Sequence, residues 1–247
     1  IFTAAYFIVV LFANYEWKKN KKVMIARMIK FAIVSIISAL TAMFILAPVA
    51  IALGQTATSD TNFPNFEIYE NVYQLITNHF IGARPVVLAR NEDLPNVYSG
   101  VITMMLIPLY FFNTKINKRE KWLMAALLII MLLCACIKPL DFMIHGFHFP
   151  SNLPHRYTFI YSFIMLYIAY KGLLNIKTCK FEFVIFAAIF YIIVILITEF
   201  IMVPSIDDID RVLTNSDIII NIIAMAVYAV IIYAYSNAKP DIIGGLM

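Results

Sequence analysis

The sequence predicts an all-α protein: a polytopic helical bundle embedded in a membrane, with about seven spans. Of the 247 residues, 62% are apolar or aromatic and only 14% are charged, with 19 basic and 15 acidic side chains. Globular domains carry about 25% charged residues, and a soluble chain with so few would expose large apolar patches. The mean hydropathy of +0.84 agrees. Disordered chains and disulfide scaffolds are excluded, because apolar residues are abundant and cysteines number three.

Seven apolar runs bounded by charged clusters predict the individual spans, since a helix needs about 20 mostly apolar residues to cross a bilayer. In chain order these runs are residues 1–14, 31–53, 96–112, 122–137, 157–170, 183–203 and 218–235. The first run is too short to cross, and it begins at Ile1 without a methionine or a charged leader. We therefore expect residues 1–247 to form a single transmembrane domain that is a fragment of a longer chain.

The basic residues are concentrated in alternate connections between the runs. Connections 14–30, 113–121 and 171–182, together with the C-terminal tail, hold 14 of the 19 Lys and Arg residues. Cytoplasmic loops collect Lys and Arg, so the sequence predicts that segments 54–95 and 138–156 face the outside of the cell. Because the net charge of +4 reflects this orientation and no array of base-stacking aromatics accompanies the lysines, we do not expect nucleic-acid binding.

The first outer segment, 54–95, begins as a polar loop and continues with a helical pattern over residues 66–81. Apolar side chains recur at helical spacing in that part, at Ile68, Val72, Leu75, Ile76 and Phe80. This pattern predicts an amphipathic helix that lies on the outer leaflet or against the mouth of the bundle. Such a helix either caps the bundle or covers a substrate. His79 and Arg84 are its candidate substrate-binding residues.

The second outer segment, 138–156, has the highest density of chemically versatile side chains. It holds three of the four histidines and several other polar residues, namely Asp141, His145, His148, Asn152, His155 and Arg156. Three prolines and a glycine preclude one continuous helix. Irregular backbone at membrane depth is tolerated where it is buried in protein or lines a watery cavity, so this segment is expected to fold back into the bundle mouth.

Four roles are open for this second segment. Asp141, His145 and His148 could bind a divalent metal, and a histidine could act in acid–base catalysis. Arg156 with neighbouring donors could bind an anionic head group, or the side chains could simply anchor the following span at the interface. Anion binding is favoured, because arginine binds phosphate through two parallel hydrogen bonds and because Arg156 precedes the first turn of a span. No resident cofactor is expected, with a metal left as the alternative.

Two stretches of the sequence resemble the bacterial YfhO family of multi-spanning membrane proteins. One stretch runs from Pro95-Asn-Val-Tyr-Ser-Gly100 through Leu109-Tyr-Phe-Phe-Asn113 to Lys118-Arg-Glu-Lys121. The other is His145-Gly-Phe-His-Phe-Pro-Ser-Asn-Leu-Pro-His-Arg-Tyr-Thr-Phe-Ile-Tyr-Ser-Phe163, followed by Ala169-Tyr170. The resemblance covers about residues 60–175. A tyrosine often stands in the family at the position of His155, so His155 inherits no role from the resemblance.

The resemblance implies a glycosyltransferase of the GT-C type in a bacterial cell membrane. Such enzymes transfer a sugar from a polyprenyl-phosphate carrier to an envelope polymer, here lipoteichoic acid or a related polymer, on the extracytoplasmic face. Their catalytic carboxylate usually lies in the first outer loop, which is expected to precede Ile1, so the catalytic residue is unknown in this chain. The candidate residues for binding the lipid-linked sugar are Arg156, His145, His148, Asn152, Arg84 and His79. The alternatives are a flippase for a lipid-linked saccharide and a non-catalytic envelope scaffold.

Overall fold

The computed structural model of the protein describes residues 2–14, 17–53, 62–69, 74–83, 95–147, 155–202 and 213–237. These ranges are almost entirely helical and contain no strand, only an isolated antiparallel bridge between Ile68 and Ile137. The helices are α1 (Phe2–Asn14), α2 (Trp17–Leu53), α3 (Gln74–Thr77), α4 (Val101–Phe112), α5 (Lys118–Cys136), α6 (Lys138–Ile144), α7 (Thr158–Leu174), α8 (Phe181–Ile197) and α9 (Asn215–Asn237). The all-helical class predicted from the sequence is therefore confirmed for this part of the chain.

A helix lies over each of the seven predicted apolar runs, because long stretches without charge or turn residues can satisfy their backbone only as helices in lipid. Within the described ranges, three helical stretches are long and apolar enough to cross a membrane, namely Asn20–Ala52, Phe181–Met202 and Asn215–Asn237. The second of these joins α8 to a π-helical turn, Thr198–Met202. Helices α4 and α7 are apolar but shorter. The total of about seven spans stays a prediction.

The connections that are rich in Lys and Arg meet at one end of the bundle. The Asn113 side chain donates to the backbone oxygen of Asn175 at 2.8 Å, which joins the end of α4 to the end of α7. Lys171 pairs with Glu120 at 3.3 Å across α7 and α5. These contacts bring the end of α4, the start of α5 and the end of α7 together. The predicted alternation of spans across a membrane stays a prediction.

At the opposite end, buried polar side chains hold the described part of the first predicted outer segment and the turn after α8. The Asn78 side chain donates to the backbone oxygen of Pro95 at 3.3 Å. Asn221, fully buried near the start of α9, accepts from the backbone N–H of Ile81 at 3.0 Å and donates to its carbonyl at 2.8 Å. Glu199, in the π-helical turn, is also buried and accepts from the backbone N–H of Leu213 at 3.3 Å. Polar side chains thus fix the irregular backbone at this end.

Helices α4 and α7 pack against each other at the centre of the bundle. Buried side chains such as Met105 and Leu109 on α4 lie in the same core as Ile164 and Ile168 on α7. The close approach depends on Gly172, because a Cβ atom there would lie 2.8 Å from the backbone oxygen of Leu106. This packing fixes the position of α7, whose first turn borders the candidate site.

The amphipathic helix predicted over residues 66–81 is wrong in its extent. Residues 66–69 are not helical, and within the described residues helix α3 covers only Gln74–Thr77. The reason is a competing pairing: Tyr69 N–H donates to the Cys136 carbonyl at 2.9 Å and Lys138 N–H donates to the Glu67 carbonyl at 3.0 Å. This pairing holds the segment extended, and Ile68 is consequently exposed rather than packed on the core.

Candidate functional site at the mouth of the bundle

A buried carboxylate, Asp141, lies at the centre of a polar cluster between α5 and α7. It stands on α6, which begins directly after Ile137, where the backbone leaves helical geometry and Pro139 starts a new helix. Asp141 is 2% exposed. Carboxylates are almost never fully buried unless they are paired, so the surroundings of this side chain decide what it does.

Three side chains from separate parts of the chain surround Asp141. Tyr69 donates its hydroxyl hydrogen to Asp141 Oδ2 at 2.7 Å. On the other side, the Nδ1 atoms of His145 and His155 lie 3.1 and 3.2 Å from Asp141 Oδ1. Both nitrogens are within ion-pair distance of Oδ1, but neither makes a hydrogen bond to that oxygen. His145 Nδ1 also lies 3.0 Å from the backbone oxygen of Asp141, to which it donates.

The cluster favours the charged form of Asp141. Burial alone raises the pKa of the carboxyl group, but the close contacts with His145, His155 and Tyr69 together hold that pKa well below its usual range. Burial and the Asp141 carboxylate both raise the pKa of the Tyr69 hydroxyl. The site therefore contains an ionised carboxylate beside a neutral phenol donor.

His155 adopts an unusual backbone conformation that directs its ring toward Asp141. Its φ of 55° lies in the left-handed region, which costs energy for a residue with a side chain. The turn is stabilised by Thr158, whose N–H and hydroxyl both donate to the His155 carbonyl, at 3.0 and 2.8 Å. The ring stands edge to face with Tyr69 at 5.3 Å between centroids. Both α7 and segment 62–69 thus hold this histidine in place.

A cleft of about 430 Å³ opens beside His155 along α7. Its polar end is formed by Asn96, His155 and Arg156, and Ser162 also contributes to its wall. The remainder is lined by α7, with the residues Thr158, Phe159, Phe163 and Leu166. Arg156 is exposed. His155 therefore belongs both to the buried cluster and to the cleft.

The apolar part of the cleft forms a stripe on α7. Phe159, Phe163 and Leu166 follow each other at intervals of four and three residues, which places them on one face of the helix. They are 70%, 52% and 48% exposed, respectively. The cleft therefore has a cationic group at one end and an exposed apolar stripe below it.

Three of the six residues predicted from the sequence to bind substrate lie in the described part of the structure. His145 contacts Asp141, and Arg156 lines the cleft. His148, Asn152 and Arg84 lie outside the described residues. The metal site predicted as an alternative, Asp141 with His145 and His148, includes one of these. Among the residues that are described, no three His, Cys, Asp or Glu side chains are arranged to hold a metal.

Among the described residues, His79 makes no hydrogen bond to another candidate, and its role in substrate binding stays a prediction. It is buried, its Nδ1 lies 2.9 Å from the Leu75 carbonyl, and its Nε2 lies 2.8 Å from the Tyr161 hydroxyl. Because a carbonyl only accepts, Nδ1 carries the hydrogen and Nε2 accepts from Tyr161. Burial lowers the pKa of His79, which keeps it neutral. Its polar atoms serve to fix segment 74–83 on α7.

Tyr69, His155 and Tyr157 were not among the predicted site residues. Tyr69 lies 72 positions from Asp141 in the sequence, and no local sequence pattern predicts that contact. One sequence feature pointed to His155 as a site residue. It lies between Pro154 and Arg156, in the segment that holds most of the histidines. The ring of Tyr157 packs on His145 at 5.0 Å between centroids, and its sequence position at the start of a span suggested only an interfacial aromatic.

The fold and the site together define a helical membrane protein with a polar cleft at one end of its bundle. The family model described as bacterial membrane protein YfhO matches residues 1–243. The chain therefore belongs to the YfhO family, and the match extends over essentially its whole length. No curated protein and no solved structure matches the chain. Family membership and the apolar helices identify it as a membrane protein of the cell envelope.

Proposed function

We propose that this chain is the carrier-binding part of a membrane glycosyltransferase of the GT-C type, built as a bundle of about seven spans. It takes a sugar from a polyprenyl-phosphate carrier and passes it to an envelope polymer such as lipoteichoic acid, on the extracytoplasmic face. The observation that carries this proposal is the cleft, in which Arg156 stands above the apolar stripe of Phe159, Phe163 and Leu166. Membership of a bacterial membrane protein family supports it.

The shape of the cleft fits a lipid-linked phosphate better than a water-soluble ligand. Arginine binds phosphate oxygens through a planar fork of donors. Below it, the stripe from Phe159 to Leu166 extends for about 10 Å along α7 at 1.5 Å per residue, which accommodates the first isoprenoid units of a carrier. Because the stripe is exposed, the rest of the chain can continue into the bilayer.

In this proposal Arg156 also contributes to the reaction. When the bond between the sugar and the phosphate breaks, negative charge develops on the phosphate, and a fixed guanidinium stabilises that charge. Asp141 is not assigned as the general base. Its two oxygens already face Tyr69 and the two imidazoles, so it is placed to orient these groups rather than to accept a proton from an acceptor hydroxyl.

The first prediction concerns Arg156. Arg156→Ala in the full-length protein is expected to lower sugar transfer at least about a hundredfold, because the leaving phosphate loses a charged partner. The measurement is transfer of a radiolabelled sugar from a short-chain polyprenyl-phosphate donor by purified protein in nanodiscs. Arg119→Ala, at the opposite end of the bundle on α5, is the matched control and is expected to transfer normally. Normal transfer by Arg156→Ala contradicts the proposal.

The same purified protein distinguishes the flippase alternative from the transferase. A flippase moves the lipid-linked sugar across a sealed liposome and forms no new glycosidic bond, whereas a transferase forms labelled product in nanodiscs, where there is no second compartment. Carrier movement without product would replace the transferase with a flippase. A scaffold subunit predicts neither activity and tolerance of alanine at every polar position of the cleft.

A further inference from the structure

A hydroxyl group lies at the edge of the apolar stripe on α7. Ser162 lines the cleft, three residues after Phe159 and four before Leu166, so it adjoins both of these side chains on the helix surface. It also follows Thr158 by four residues, which places it about 6 Å further along the helix axis. Ser162 is half-buried. The cleft therefore has a polar atom where its cationic end passes into its apolar part.

The Ser162 hydroxyl is not used by the fold. Hydroxyl groups on helices commonly donate to a backbone oxygen three or four residues earlier, as Ser236 does to the carbonyl of Tyr233 at 2.9 Å. Within the described residues, the structure gives the Ser162 hydroxyl no such bond and no other hydrogen-bond partner. Because Ser162 lines the cleft, its hydroxyl can donate to a ligand there.

The neighbouring hydroxyl on the same side of the cleft is already engaged. Thr158 also lines the cleft, and its hydroxyl donates to the His155 carbonyl at 2.8 Å. A hydroxyl has one hydrogen to donate, so Thr158 has none left for a ligand. Of these two hydroxyl groups in the described part of the cleft, that of Ser162 alone retains its hydrogen for a bound molecule.

We propose that Ser162 is a phosphate-binding residue, whose hydroxyl donates to one oxygen of a phosphodiester while Arg156 binds the other. This inference rests on the proposed function, because it concerns the same cleft and names a second contact for the carrier. A phosphodiester has two non-bridging oxygens that share one negative charge. Hydrogen bonds to a charged oxygen are among the stronger ones in proteins, so a single hydroxyl contributes measurably to affinity.

In this arrangement Ser162 fixes how deep the phosphate lies in the cleft. The Arg156 side chain is exposed, and a long arginine side chain has many rotamers, so alone it does not define one depth. The Ser162 hydroxyl is one torsion away from the helix backbone, and its position is nearly fixed. A phosphate bound to both residues leaves Phe163 and Leu166 for the lipid tail and keeps the bond to the sugar at the polar end.

The experiment measures binding of three probes to the full chain in dodecyl maltoside micelles at neutral pH, where no lipid phosphate competes. Methyl farnesyl phosphate has the phosphodiester and an isoprenoid tail. Farnesyl methyl ether has the tail alone, and dimethyl phosphate has the phosphodiester alone. Thermal unfolding of each variant verifies that it is folded.

Ser162→Ala is expected to bind methyl farnesyl phosphate about tenfold more weakly than the wild type, because one charge-assisted hydrogen bond is lost. The same variant is expected to bind farnesyl methyl ether as the wild type does, since the apolar stripe is unchanged. Ser236→Ala makes the same substitution on α9, where the hydroxyl donates to the helix backbone. It is the matched control and is expected to keep wild-type affinity for all three probes.

The results separate the role of Ser162 from the carrier-binding function. Wild-type affinity of Ser162→Ala for methyl farnesyl phosphate overturns the role of Ser162 and leaves the function of the cleft intact. An equal loss for farnesyl methyl ether also overturns that role, because the substitution then acts through packing. No binding of methyl farnesyl phosphate by the wild type overturns both proposals. Equal wild-type affinity for dimethyl phosphate overturns the lipid source, because the stripe on α7 then contributes nothing.

Discussion

At the scale of the residue, the site depends on one buried carboxylate in a cluster that is built from three parts of the chain. Asp141 comes from α6, Tyr69 from segment 62–69 and His155 from the turn before α7. A carboxylate placed between an imidazole pair and a phenol stays ionised without contact with water. The cluster therefore joins the two outer segments through charge-assisted contacts.

The Tyr69 hydroxyl offers a test of this connection without a change of charge. Tyr69→Phe leaves Asp141 Oδ2 without its 2.7 Å donor, and a lost hydrogen bond to a charged group costs roughly 1–2 kcal/mol here, because Tyr69 is half-buried. We expect a lower midpoint of thermal unfolding, measured in detergent, and a less stable arrangement of the side chains around the cleft. Tyr98→Phe, a half-exposed tyrosine at the same end, is expected to unfold like the wild type. Equal midpoints for Tyr69→Phe and wild type contradict the importance of the contact.

The sequence identified part of this cluster and missed the rest for a physical reason. Arg156 and His145 stand out because polar side chains are dense between two apolar runs. Tyr69 and Asp141 meet through tertiary contact alone, across 72 positions. His79, another residue predicted for substrate binding, is buried with its Nε2 against the Tyr161 hydroxyl.

At the scale of the element, composition predicted where the helices lie, and backbone pairing between distant segments explains where that prediction was wrong. Uncharged runs predict helices well, because lipid leaves the backbone no other way to satisfy its hydrogen bonds. The predicted helix over residues 66–81 was wrong in extent because its first part pairs with residues 136–138, an alternative that periodicity cannot reveal. The Glu67 and Lys138 side chains form an ion pair across the same contact.

The packing of α4 on α7 gives a prediction at this scale. Gly172→Ala places a Cβ atom 2.8 Å from the Leu106 carbonyl, so the two helices must separate slightly. We expect a loss of roughly 1–3 kcal/mol of stability from overpacking, measured as a lower unfolding midpoint, and a larger loss for Gly172→Val. Tyr170→Ala, an exposed position on the same helix, serves as the control with little expected effect. Unchanged stability of both Gly172 variants contradicts the close approach.

At the scale of the whole molecule, the exposed surface is apolar where helices face lipid. Residues 32–46 of α2 are exposed on every face, and the side chains there include Phe44, Ile45 and Leu40. A helix that is apolar all round is stable only when a nonpolar medium surrounds it. Scarce charge in the composition thus corresponds to long helices with exposed apolar side chains, which is typical of helices in a bilayer.

The direction of the bundle in the membrane gives the last prediction. The basic connections meet at one end and the candidate site lies at the other, and the positive-inside rule assigns the basic end to the cytoplasm. In a variant without Cys134, Cys136 and Cys179, a membrane-impermeant maleimide is expected to label Asn65→Cys in intact cells. It is expected to label Lys115→Cys only after the membrane is permeabilised. Both positions are exposed in the fold, so access to the reagent depends on the side of the membrane. Labelling of Lys115→Cys in intact cells, with Asn65→Cys protected, would reverse the orientation and place the cleft where no outer-face polymer can reach it.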